Sequence, residues 1–276
     1  MTPLATLLLS LASALWGAEP ARYAWDPAWP RFRKTELAVT GAAVAGAAAN
    51  FYLVKPPETA AWKGPILFDK GAREVLIIRS QSSGDRAELI GDLLTFPLIG
   101  YAMLDGPLTA LWAGGNKDTA GQLALINAET FAVTEVLNLS ISNAFPRARP
   151  DGAVCDPRSR YDPRCVKSFW SGHAANVFAA ASLVCVQHQA LELYGGAADA
   201  AVCAASLTAA AGVALLRVAS NDHYASDILV GAALGAATGY LMPKLLHFRP
   251  RSDPGLGRLE PRAVRGGGGL AWVRRW

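Results

Sequence analysis

The sequence predicts an all-α protein, a helical bundle of about six helices, and three observations carry that reading. Hydrophobic residues make up 52% and charged residues 17% of the 276 positions, whereas about a quarter of an ordinary soluble domain is charged. Ala and Leu dominate long uncharged stretches, which reads as helix with membrane character. Pro, Gly and charge collect between these stretches, and no low-complexity linker divides residues 36 to 247, so one helical domain is expected there. No repeat of solenoid period occurs, and Gly266–Gly269 is the one low-complexity patch.

Taken in order, the chain opens on an apolar run, Leu4 to Trp16, followed by the small pair Gly17-Ala18. Residues 1–18 are therefore expected to be a signal peptide or a short N-terminal anchor. Helices are predicted at Glu36 to Val54, Ala87 to Trp112, Thr119 to Asn143, His173 to Tyr194, Asp199 to Arg217 and Asp222 to Leu246. Lys55-Pro56-Pro57 and Gly114-Gly115-Asn116-Lys117-Asp118 are the clearest connections. Glu88, Asp92 and Pro97 interrupt the second helix, and Glu129 and Glu135 the third. Their uncharged runs fall short of the roughly 20 residues a membrane span needs, and the other four are borderline. Residues 248–276 are rich in Arg, Pro and Gly and read as a flexible tail with at most one brief strand at Leu270 to Val273.

Cysteine usage bears on the compartment. Cys155 and Cys165 share the polar loop from Pro150 to Ser168 and suggest a disulfide outside the cytoplasm, while Cys185 and Cys203, in apolar helices, read as buried thiols. The loop offers too few ligands for a metal. It carries Arg158, Arg160, Arg164 and Lys167 and serves as a solvated loop and a basic rim that steers anions. An exported N-terminus followed by six spans would return Arg149 and this loop to the cytoplasm, so either the first stretch is not a signal or some helices do not span. Basic residues flank both sides and assign no orientation. The expectation is an envelope protein, membrane-bound, with its site facing the periplasm or exterior; a soluble periplasmic helical protein is the alternative.

The chemistry sits in three ordered blocks: Arg149-Pro150, Ser171-Gly172-His173, and Arg217-x5-His223-x3-Asp227. His223 and Asp227 are four apart, so on a helix beginning near Asp222 the carboxylate shares a face with the imidazole and can fix its tautomer. Such an imidazole is a candidate nucleophile toward phosphorus. Arg217 ends an apolar run and can clamp phosphate with its planar fork. Ser171 and Gly172 precede an uncharged helix whose N-terminal amides form an anion cradle, with His173 at its mouth as a candidate acid. Arg147 and Arg149 bring further charge to this rim. By contrast Arg249-Pro250 has no partner motif downstream, and His188, inside an apolar helix, reads as structural.

These blocks resemble the type 2 phosphatidic acid phosphatases, the superfamily that also contains the vanadium haloperoxidases. That pattern has Lys, six residues and Arg-Pro; then Pro-Ser-Gly-His; then Ser-Arg, five residues, His, three residues and Asp. The resemblance covers about half the chain and implies that His223 forms a phosphohistidine, that Asp227 orients it and that His173 is the general acid. Arg149, Arg217, Ser171 and the Gly172 amide would bind phosphate oxygens. No metal or other cofactor is implied, since arginines and helix-end amides neutralise the transferring group.

Three positions depart from the pattern: Ser142 stands in place of the Lys, Trp170 in place of the Pro and Leu216 in place of the Ser. Arg147 is the nearest replacement cation by sequence. The expected reaction is hydrolysis of a phosphate monoester or diphosphate, on a phosphorylated lipid such as phosphatidate, a polyprenyl diphosphate or a lipid A phosphate. The alternatives are a vanadium-dependent haloperoxidase and a non-catalytic member of the fold. The expected partners are the lipid and the membrane, not nucleic acid, and the sequence does not give the oligomeric state.

Overall fold

The computed structural model describes residues 23–55, 57, 59–152, 165–249, 258–264 and 267–273. Stretch 1–18 and Cys155 lie outside the described residues, as do the loop arginines 158, 160 and 164.

Every predicted helix is present. They are α1 (Lys34–Tyr52), α3 (Gln81–Trp112), α4 (Lys117–Ala144), α5 (Gly172–Leu191), α6 (Ala197–Ala219) and α7 (Ala225–Ala236), which continues through a π-helical turn, Ala237–Leu241, into α8 (Met242–Leu246). A short helix, α2 (Asp69–Leu76), was not anticipated. The tail differs from its expected single strand. Arg258–Val264 and Gly267–Val273 pair as an antiparallel hairpin, the second strand absorbing glycines that carry no side-chain pattern to read.

Helix α5 is the axis of the bundle, buried along most of its length and packed by α3, α4, α6 and α7. Its contact with α7 and the π-helical turn is backbone to backbone. A Cβ on Gly231 would stand 2.6 Å from the Ser171 carbonyl oxygen, one on Gly235 2.1 Å from that of Ala175, and one on Gly239 2.2 Å from that of Ala179. Only glycine at this four-residue repeat lets the two helices approach so closely. The approach seats the start of α7 against the start of α5, and the site forms there.

Large apolar side chains face outward along α1 and α3, among them Leu37, Phe51, Leu93 and Phe96. Four helical stretches, α3, α5, α6 and Ala225–Leu246, are long and apolar enough to cross a membrane. The chain is accordingly membrane-associated. For α3 this corrects the sequence expectation: the helix starts six residues earlier than predicted, runs 32 residues and accommodates Pro97 and Pro107. Within α4 the buried Glu129 is matched by His247, whose Nε2 lies 2.9 Å from it.

Cys185 and Cys203 are not thiols. They form a disulfide, because antiparallel α5 and α6 bring their Cα atoms to 4.6 Å. Cys165 is also disulfide-bonded. His188 is structural as read, with Asp199 at 2.7 Å and Asp105 at 2.8 Å on its two nitrogens.

The strands of helix run alternately between two ends. The starts of α3, α5 and α7 and the ends of α4 and α6 meet at one end. At the other, the Tyr23 hydroxyl donates to the Leu193 carbonyl, Arg31 pairs with Asp118, and the Phe32 and His247 rings stack.

Candidate active site

Helix α6 ends just after Arg217, and the chain turns through Ser220 to Tyr224 before α7 begins. The amides of Asp222 and His223 both donate to the Arg217 carbonyl, and Asn221 takes a left-handed φ of 67°, which asparagine tolerates better than most residues. This tight turn fixes Arg217 and His223 relative to one another. His223 is buried, and its Nδ1 lies 2.8 Å from the Ser168 carbonyl oxygen. A carbonyl only accepts, so Nδ1 carries the hydrogen and Nε2 keeps its lone pair. Burial, then the nearby Arg149 and Arg217, hold this imidazole well below its ordinary pKa and keep it neutral.

Asp227 does not touch His223, contrary to the sequence expectation. Helix α7 starts at Ala225 with Tyr224 as its cap, so His223 precedes the helix and the four-residue spacing no longer puts the two on one face. Asp227 instead accepts from the Tyr224 amide at 3.0 Å, from the Ser168 hydroxyl at 2.6 Å and from Arg147 at 2.5 Å. It orients the segment that holds His223, through Ser168.

Arg147 is likewise displaced from its expected role. It is fully buried, paired with Asp69 at 2.8 Å as well as with Asp227, donates to Ser226 and the Gly64 carbonyl, and lies between the Trp62 and Tyr224 rings. Burial would push Asp69 up, but hydrogen bonds from the Ile66 amide, Arg147 and Ser226 hold it below its ordinary range. Held by two carboxylates, this guanidinium is committed to structure.

The remaining groups converge. His173 and His223 open onto a single cavity of about 330 Å³, which Arg149, Gly172, Lys167, Ser142 and Trp170 also line. Arg149 pairs with Asp222 at 3.0 Å. Arg217 pairs with Asp92 at 2.8 Å and with Asp222 at 3.2 Å. Asp92 Oδ1 also lies 2.9 Å from His173 Nε2, so one carboxylate oxygen bridges Arg217 and His173. Ser171 caps α5, its hydroxyl accepting from the Ala174 amide at 3.4 Å. A Cβ at Gly172 would meet the Asn138 side-chain nitrogen at 2.7 Å, so that side chain would have to move aside.

Sequence reasoning missed Asp69, Asp92 and Asp222 as parts of the site and placed Lys167 only on a basic rim. Only Asp222, next to His223, carried a local signal. Among the described residues no group of three or more His, Cys, Asp or Glu is placed to hold a metal ion. A larger cavity, about 620 Å³, lies at the opposite end of α5 beside Tyr101, Asp105 and Tyr194, away from this chemistry.

Two imidazoles and two arginines thus gather near the starts of α5 and α7. Residues 123–251, just under half of the chain, match the sequence model of the PAP2 superfamily. A stretch of 127 residues is 33% identical to a lipid A 1-phosphatase of Porphyromonas gingivalis, covering 46% of this chain and 24% of that relative. The chain thus spans about a quarter of the length of the curated relative it matches. The crystal structure of a transmembrane PAP2-type phosphatidylglycerolphosphate phosphatase from Bacillus subtilis aligns with a TM-score of 0.44 at 20% identity, over 75% of this chain and 86% of that one.

Proposed function

We propose that the protein is a lipid phosphatase that hydrolyses a phosphate monoester or diphosphate through a phosphohistidine, without a metal. The observation that carries this reading is the neutral His223, tied at Nδ1 to Ser168 and opening onto the same cavity as His173 and Arg149. Its Nε2 lone pair attacks phosphorus, and the bond to the leaving oxygen breaks as that oxygen takes a proton from His173. Water then attacks the phosphohistidine and returns a proton to His173, and the P–N bond breaks to free His223. The point now held by Asp92 Oδ1 is within reach of both Arg217 and His173, so a phosphate oxygen there meets the same two donors once Asp92 withdraws. The bound dianion also favours the protonated form of His173. Arg149, Arg217 and the amides at the start of α5 stabilise the equatorial oxygens.

The site is assigned to the periplasmic or exterior face. The disulfide-bonded Cys165, in the loop that leads to the site, supports an oxidising surrounding.

The test is phosphate release across lipid and soluble phosphate esters, in chelator, beside His223→Ala. Turnover by the wild type, trapping of an acid-labile phosphoenzyme and loss of both in the variant are expected. Turnover that survives in His223→Ala, or that requires added metal, overturns the mechanism, and halide oxidation with added vanadate in place of hydrolysis overturns the function.

A further inference from the structure

The charges of the site cancel before any substrate arrives. Arg149 and Arg217 face Asp92 and Asp222, and His223 is held neutral. A phosphate dianion entering this cluster would find little net positive potential from them. Among the described residues one further cation lines the cavity, Lys167, with Glu135 on the same wall and not hydrogen-bonded to it.

Among the described residues Lys167 has no hydrogen bond and no ion pair; the charge nearest enough to act on it is Glu135, on the α4 wall of the same cavity. Partial burial holds its ammonium below the ordinary lysine pKa against the opposing pull of Glu135, and the side chain has no hydrogen-bonding partner, which an incoming anion supplies. Its place is fixed by the backbone. The 167 position bridges to Arg147, the next amide, Ser168, donates to the Arg147 carbonyl at 3.0 Å, and the Ser168 carbonyl is the group that holds His223. Lys167 is therefore one residue from the anchor of the nucleophile. Ser142 lines the same cavity from α4, so a cation reaching in from position 142 or from position 167 serves one space.

We propose that Lys167 binds the phosphate of the substrate and supplies the positive charge that Ser142 does not. The proposal rests on the phosphatase reading of the site. Arg147, the nearer cation in sequence, is locked between two carboxylates and does not take part.

The experiment uses the full chain in detergent micelles, with two readouts: hydrolysis of a short-chain phosphatidate, and binding of orthovanadate by calorimetry. Lys167→Met is expected to lower kcat/KM by about 100-fold and to weaken vanadate binding, with thermal unfolding unchanged. Lys167→Arg retains most of both, and Ser142→Lys placed in the Lys167→Met background restores at least part of each. If the wild type hydrolyses phosphatidate, His223→Ala does not, and Lys167→Met matches the wild type in rate and vanadate affinity, the assignment of Lys167 is wrong. If no phosphate ester is hydrolysed but vanadate binding still depends on residue 167, the anion-binding role stands and the phosphatase reading falls. A Lys167→Met chain that fails to fold transfers the decision to Lys167→Gln, whose vanadate affinity is expected to fall: unchanged affinity in a folded Lys167→Gln chain overturns the proposal.

Discussion

Asp227 reaches His223 through one intervening residue: the Ser168 hydroxyl donates to the Asp227 carboxylate at 2.6 Å while the Ser168 carbonyl accepts from His223 Nδ1 at 2.8 Å. The carboxylate and the imidazole grip opposite sides of the same residue. The tautomer of His223 thus depends on main chain, and main chain survives substitution of the side chain.

Ser168→Ala is accordingly expected to keep the His223 hydrogen bond and lose only the hydroxyl. Stability should fall by about 2 kcal/mol, the worth of a buried hydrogen bond to a charged group, with phosphate release within tenfold of wild type. Asp227→Ala is different, since it leaves Arg147 with Asp69 alone. A loss of about 3 to 5 kcal/mol is expected from breaking this buried pair. Thermal unfolding in detergent checks both, and an Asp227→Ala chain of normal stability but no activity would restore direct orientation of His223 by Asp227.

The depressed pKa of His223 makes stability depend on pH with a definite sign. In the unfolded chain the ring protonates near its ordinary value of 6.5, whereas the native ring stays neutral well below that. As pH falls through 6.5 the unfolded state gains a proton that the native state refuses, so native stability drops. His223→Asn lacks this penalty. The unfolding midpoint of the variant minus that of the wild type should rise between pH 7 and pH 4.5; a flat difference contradicts the assignment.

Asp92 occupies ground that an anion must share. Asp92→Asn removes the competing charge between Arg217 and His173, and inhibition by inorganic phosphate should tighten several-fold, since a charge-assisted contact of about 1 kcal/mol is freed for the ligand. An unchanged or weaker inhibition constant shows that Asp92 does not compete.

Gly235 tests the link from packing to chemistry. In Gly235→Leu the new Cβ would stand 2.1 Å from the Ala175 carbonyl, so α5 and α7 must separate. Overpacking of a rigid interface costs about 3 kcal/mol, and the separation also pulls His223 from Ser168. Unfolding temperature and turnover should fall together, and loss of neither would show that the close approach is not needed.

The apolar runs made the helices legible, and the three ordered blocks made His173, His223, Arg149 and Arg217 legible as one site. What stayed hidden has physical causes. Helix α2, with eight residues and four charges, is too short and too polar for periodicity to show. Asp92 pairs with Arg217 across 125 residues, a relation no local spacing encodes. Arg147 and Lys167 sit side by side in a backbone bridge, yet one is buried among carboxylates and the other lines the cavity. Proximity in sequence to Ser142 pointed to Arg147, which does not line the cavity. The His223–Asp227 spacing misled because it presumed where α7 begins.

The packing of Tyr23 and Phe248 at the end of the bundle remote from His223 leaves room for growth. Extra modules joined before the one or after the other would not crowd the reactive mouth.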